Sequence, residues 1–158
     1  METAIIEIWG KFDKAMSCDK LLYAPADDAS LTARHTRRYV LEYEGNSEAM
    51  WRFVRRTLLD TLAQESRTDG ESVFEEVSLL LEVGMKRGVL DLEKEAILSY
   101  YRSLPDPGFV LKSLRIFQRY YIFGGSPAPE RFIKDLVNPA IQNHRIIREQ
   151  VVGNREQA

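Results

Sequence analysis

The sequence predicts an α+β domain that is predominantly α-helical: a short N-terminal β-strand or hairpin followed by a bundle of about five or six helices. Three observations predict it. Residues 38–44 alternate as a strand does, apolar residues from Asn46 onward recur at helical spacing, and Ser, Asp, Gly and Pro punctuate those stretches where helices start and stop. At 158 residues the chain fits one domain. The expected division is a globular unit over 1–152, with a β-containing region at 1–45 and a helical region at 46–152, and a flexible tail at 153–158. Hydrophobic residues at 44% and charged residues at 29% are globular usage, well away from disordered composition.

The strand over 38–44 puts Tyr39, Leu41 and Tyr43 on one face and Arg38, Val40, Glu42 and Glu44 on the other. Residues 4–12 read either as a strand, with Ala4, Ile6, Ile8 and Phe12 aligned, or as a helix that stacks Ile5, Trp9, Phe12 and Met16. The strand reading supplies residues 38–44 with a partner for their backbone groups. Residues 23–36, with Pro25, Asp27, Asp28 and Ser30, read as a loop.

Helix signals follow. The first predicted helix is capped by Asn46 or Ser47, carries Trp51, Val54, Leu58 and Leu62, and runs to about residue 65. Ser72 with Glu75 makes a capping-box pattern for a second, whose apolar run over 77–83 is broken only by Ser78 and Glu82. Asp91 caps a third, through Ala96, Tyr100 and Leu104, which stops before Pro105 and Pro107. The fourth, over 108–123, points Val110, Leu114, Phe117 and Tyr121 inward and Lys112, Arg115 and Arg119 outward, and Gly124 and Gly125 stop it. Ser126-Pro127 and Asn138-Pro139 then open two short helices. No internal repeat is visible at this level.

Several kinds of chemistry lack their residues. No run approaches the roughly 20 apolar residues of a membrane span, and no basic, apolar, small-residue leader opens the chain. Cys18 is the single cysteine, which fits a reducing, cytoplasmic setting. His35 and His144 have no second histidine or carboxylate at i+3 or i+4. The carboxylates at 75, 76 and 82 and at 91, 93 and 95 read as solvated acidic faces. Gly124-Gly125-Ser126 follows a predicted helix, so its glycines read as a helix stop and not as a phosphate loop. No cofactor, metal or catalytic residue is therefore nominated. An enzyme would have to assemble distant groups such as His35, Arg38 and Glu42.

Charge and aromatic placement give the functional expectation. The net charge is −2, yet residues 108–158 hold eight Lys/Arg against four Asp/Glu, a balance of +4. Tyr, Phe and Arg are the residues enriched at protein interfaces. The chain is therefore expected to be a non-enzymatic interaction module, a regulator, adaptor or assembly factor, that meets another protein or a second copy of itself through Tyr101, Arg115, Tyr120 and Phe123. The alternative is nucleic-acid binding through Lys112, Arg115, Arg119, Arg131, Lys134, Arg145 and Arg148, in the basic C-terminal third. No membrane partner is expected.

Overall fold

A computed structural model describes residues 1–23 and 30–149. The expected tail at 153–158, and positions 24–29 of the expected loop, lie outside the described residues.

The described residues form one seven-stranded antiparallel sheet, with 43% of them in strands, 24% helical, and three α-helices. This overturns the expected helix bundle. Strands β1 (Glu2–Gly10), β2 (Met16–Ser17) and β3 (Thr32–Gly45) lead into helix α1 (Ser47–Thr57) and strand β4 (Gln64–Arg67). Strand β5 (Val77–Met85), helix α2 (Leu92–Ser103), strand β6 (Phe109–Phe123), helix α3 (Pro129–Leu136) and strand β7 (Gln142–Glu149) follow. The strand order is β4-β1-β3-β6-β5-β7, with β2 alongside β3.

β1, the 38–44 part of β3 and three helices stand near where the sequence predicts them, but β3 begins at Thr32, inside the expected loop over 23–36. Asn46 caps α1 by accepting from the Ala49 N–H at 3.0 Å, and Asp91 caps α2 by accepting from the Lys94 N–H at 3.2 Å. However, α1 stops at Thr57, and Leu62, read as part of its apolar stripe, is 83% exposed.

Three predicted helices are strands, for two physical reasons. In β5, seven consecutive residues from Val77 are buried, because both faces of the strand are covered. Such a strand shows no alternation and reads as a buried helix. In β6, Leu114, Ile116 and Ile122 pack on one face while Arg119 and Tyr121 are buried on the other. With apolar residues on both faces, Val110, Leu114, Phe117 and Tyr121 fall at helical spacing by coincidence. Aromatic and β-branched content was the better guide there. Ser72 caps nothing: its hydroxyl donates to the Phe74 carbonyl at 2.7 Å. The last predicted helix is β7, reached through a turn in which Asn138 Oδ1 accepts from the Ala140 N–H at 3.1 Å.

All three helices lie on one face of the sheet. One core joins Met50, Phe53 and Val54 of α1 and Ile97 of α2 to Tyr39, Leu41 and Leu114; a second joins Phe132 of α3 to Ala33, Leu81 and Ile122. Alternation along β3 and β6 puts both cores on the same side. On the opposite face a smaller cluster, Val73, Val77, Leu80 and Tyr121 with Trp9 and Phe74, lies beneath the loop over 68–76. Beyond that loop, the second face has no covering layer among the described residues.

The topology contains a repeat that the sequence reading missed. β1-β3-α1-β4 and β5-β6-α3-β7 follow the same course: two antiparallel strands, a helix, then a strand that pairs beside the first. The two units join through β3 and β6, so that Thr36 faces Arg119 and Arg38 faces Phe117 about a local two-fold axis near the Arg37–Gln118 pair. The sequence keeps a trace. Gly45, Ser47, Ala49, Arg52 and Phe53 match Gly124, Ser126, Ala128, Arg131 and Phe132 at a constant offset, and Ile5-Ile6-Glu7-Ile8 parallels Leu80-Leu81-Glu82-Val83. The insertion of α2 between β5 and β6 hides the period.

Gly45 and Gly124 both take positive φ at the strand-to-helix turn, +110° and +88°. Gly124-Gly125 therefore follows a strand and not a helix. A Cβ at Gly45 would sit 3.0 Å from Phe109 Cα, which is backbone and cannot move aside cheaply. Gly45→Ala is expected to cost about 1–3 kcal/mol in urea unfolding. Gly88→Ala, at similar φ but with nothing within 4 Å of the new carbon, should cost less.

Candidate functional site

The uncovered face is organised around a buried charge cluster. Glu7 of β1 and Glu82 of β5 occupy matching places in the two repeats, each opposite an arginine: Glu7 pairs with Arg38 and Glu82 with Arg119. Arg119 is 1% exposed. Its Nε donates to Glu82 at 2.9 Å, and its NH1 donates to Glu7 at 3.0 Å and to the Glu71 carbonyl. Glu7 also accepts from the Thr36 hydroxyl at 2.7 Å, from Arg38 at 3.3 Å and from the Tyr121 hydroxyl. Arg145 of β7 donates to Glu82 at 3.0 Å from the solvent side.

A buried charge survives only when paired and hydrogen-bonded. Burial works against the Arg119 cation, but the Glu7 and Glu82 carboxylates outweigh it and hold its pKa above the ordinary value. Burial first, then the bond to Glu7, pushes the Tyr121 hydroxyl up to about 12. Both groups keep one protonation state across the physiological range.

Beside the cluster, a trough of about 620 Å³ crosses five strands. Ile5, Val40 and Phe117 form its floor, with Arg38, Arg115 and Arg145 among its polar lining. The Arg115 guanidinium lies over the Phe117 ring, 5.7 Å from its centroid. Gly84 is required at the floor: a Cβ there would meet the Phe117 ring at 2.8 Å.

A second cavity of about 390 Å³ opens on the helical face between α1, α2 and the end of β1. Several of its polar groups are engaged with one another or with neighbours, whereas the buried Thr57 hydroxyl in its wall has no hydrogen-bond partner among the described residues. Arg37 donates to Glu93 at 2.9 Å, as does the Tyr39 hydroxyl at 2.6 Å, and His35 Nε2 lies 2.6 Å from Gln118 Oε1. With the amide oxygen as acceptor, Nε2 carries the proton. Partial desolvation lowers the pKa of His35, whose ring lies 5.0 Å from that of Tyr120 and keeps a solvent-exposed edge, from 6.5 despite the Gln118 bond.

A depressed histidine pKa stabilises the fold above pH 6.5 and withdraws that stability as pH falls toward the folded-state value. Unfolding free energy is accordingly expected to decline as pH drops below 6.5. His35→Gln, which binds no proton, should flatten that part of the profile; an unchanged slope in urea titrations would contradict the assignment.

The sequence-nominated residues are dispersed. Tyr101 is structural: its hydroxyl donates to the Phe109 carbonyl at 2.8 Å and accepts from the Leu111 N–H at 3.1 Å. Tyr120 stacks on His35 at the helical face, whereas Phe123 packs on Phe74 at the opposite face. Only Arg115 lines the trough. Of the basic set, Arg115, Arg119, Arg145 and Arg148 share the uncovered face, although Arg119 is consumed internally. Lys112 pairs with Glu44 at 3.7 Å, and Arg131 and Lys134 belong to α3. His35 projects from the opposite face of β3 to Arg38 and Glu42, so those three do not converge.

Glu7 and Glu82 escaped the sequence reading, Glu82 having been assigned to a solvated acidic face. The available signal was a lone carboxylate inside an apolar β run, Ile6-Glu7-Ile8 and Leu81-Glu82-Val83. Among the described residues no group of three or more His, Cys, Asp or Glu side chains could hold a metal ion, and no helix is long and apolar enough to cross a membrane. Comparison with known proteins finds no matching family model, no matching characterised protein and no matching solved structure.

Proposed function

We propose that the chain is a non-enzymatic protein-interaction module, acting as a regulator, adaptor or assembly factor, and that it meets its partner through the uncovered face of the sheet. The trough carries this reading. An apolar floor rimmed by arginine has the composition of protein interfaces, where aromatic and arginine side chains supply most of the binding energy. The charge cluster beside it supports the reading by holding Arg38 and Arg145 in place through Glu7 and Glu82. A cytoplasmic setting belongs to the same proposal and rests on the single, buried Cys18.

A second reading, nucleic-acid binding, draws on Arg115, Arg145 and Arg148 lying on this same face. Size exclusion with light scattering, in low and high salt and with or without short oligonucleotides, separates the two. The interaction reading expects a species heavier than the 18.2 kDa chain, or a stoichiometric co-purifying protein, indifferent to oligonucleotides. A monomer that grows heavier only with nucleic acid and only at low salt would replace it with the second.

A further inference from the structure

β5 pairs with β6 only as far as Gly84–Phe117 and then turns away toward α2, which leaves residues 109–116 of β6 with β3 as their strand partner. A cavity of about 320 Å³ occupies the resulting gap. It shares Met85, Arg115 and Phe117 with the 620 Å³ trough, so the two adjoin at those residues, the gap reaching on toward Ile116 and Lys94 of α2.

The groove these two cavities make is strongly basic on a chain of net charge −2. Lys86, Arg87, Lys94 and Arg115 line the gap, and Arg38 and Arg145 line the trough. Against these six cations stand two acids, Asp91 and Glu82, a local balance of +4. Both acids are occupied: Asp91 caps α2, and Glu82 holds Arg119 and Arg145. Among the described residues Lys86, Arg87, Lys94 and Arg115 make no ion pair. Between the cations the surface is aliphatic, with Ile5, Val40, Met85, Val89 and Ile116, and its flat rings are Phe117 and the His144 imidazole. Nucleic-acid bases want flat rings to stack on, and this groove offers two, Phe117 and His144, against five aliphatic side chains. Aliphatic side chains want such a floor.

We propose that this joined groove beside Arg115 and Phe117 binds an acidic protein segment anchored by aliphatic side chains. The proposal rests on the uncovered face being the partner surface and adds the partner's chemistry. Carboxylates of the segment meet Lys86, Arg87, Lys94 and Arg115, while leucine-like residues fill the aliphatic floor.

The test uses the full chain and three fluorescent probes: a peptide of roughly 20 residues mixing Glu and Leu, a polyglutamate of equal length, and a short oligo(dT). Anisotropy is expected to show saturable binding of the Glu/Leu peptide, weakened severalfold by added salt. Lys94→Glu with Arg115→Glu should weaken it about tenfold or more, and Arg52→Glu with Arg56→Glu, on α1, should leave it unchanged. Equal binding of polyglutamate, tighter binding of oligo(dT), or no effect of the groove variant would overturn the proposal. If the peptide does not bind but the groove variant still abolishes an association seen by light scattering, the acidic chemistry fails and the interaction reading stands; if that association also survives, both fail.

Discussion

Arg119→Met is expected to destabilise the fold by about 3–5 kcal/mol, the largest effect of any single change at the charge cluster. The guanidinium neutralises Glu7 and Glu82 at once, and both carboxylates are nearly inaccessible. Removing it leaves two like charges facing each other without their shared counterion, which costs more than the pair interactions themselves contribute. Arg145→Met should cost less than about 1 kcal/mol, because that side chain is 70% exposed and water screens its bond to Glu82. Replacing Glu7, Glu82 and Arg119 together by Leu, Leu and Met should recover only part of the loss, since it removes the unneutralised carboxylates but takes from Arg38, Thr36 and Tyr121 their Glu7 acceptor. Urea unfolding of the three proteins checks the series. A loss below about 1 kcal/mol for Arg119→Met would mean that the cluster is wet and not structural.

Phe53→Ala and Phe132→Ala are each expected to cost about 3–5 kcal/mol. These residues occupy the same place in the two repeats and are 5% and 1% exposed. Phe53 packs its ring against Tyr100, Tyr101 and Phe109, with centroids 5.6 to 6.1 Å away, and Phe132 anchors α3 on Leu81 and Ile122. Because β3 and β6 pair along almost their whole length, the two units share one sheet and should unfold in one transition in either variant. Two separated transitions in calorimetry would show that the repeats are independent.

What could be read in the sequence divides along the same physical line. Capped helices on a half-buried layer announced themselves: Asn46 and Asp91 are visible caps, and residues 38–44 alternate because one side of β3 packs there while the other carries charge. β5 was illegible to periodicity because both of its faces are covered, and β6 because apolar side chains stand on both of its faces and its C-terminal half is buried on each, so that neither period dominates. The repeat was legible at Gly45 to Phe53 against Gly124 to Phe132, but α2 interrupts one copy and the strands between have diverged. At the candidate site, Arg115 and Arg145 were identifiable as basic residues, whereas their convergence on one face depends on β7 returning beside β5, which no local pattern encodes. Glu7 and Glu82 looked like ordinary surface carboxylates until the strands on either side placed Arg119 between them.

The most direct measurement of the central claim, that the uncovered sheet face is the working surface, compares two charge reversals matched in size. One is Arg115→Glu with Arg145→Glu on that face; the other is Arg52→Glu with Arg56→Glu on α1, at the helical face. Light scattering and quantitative co-purification would be run on both beside the wild type. The first pair is expected to abolish association while circular dichroism stays unchanged, and the second to leave association intact. Loss of association in the α1 pair alone would contradict the account and move the working surface to the helical face.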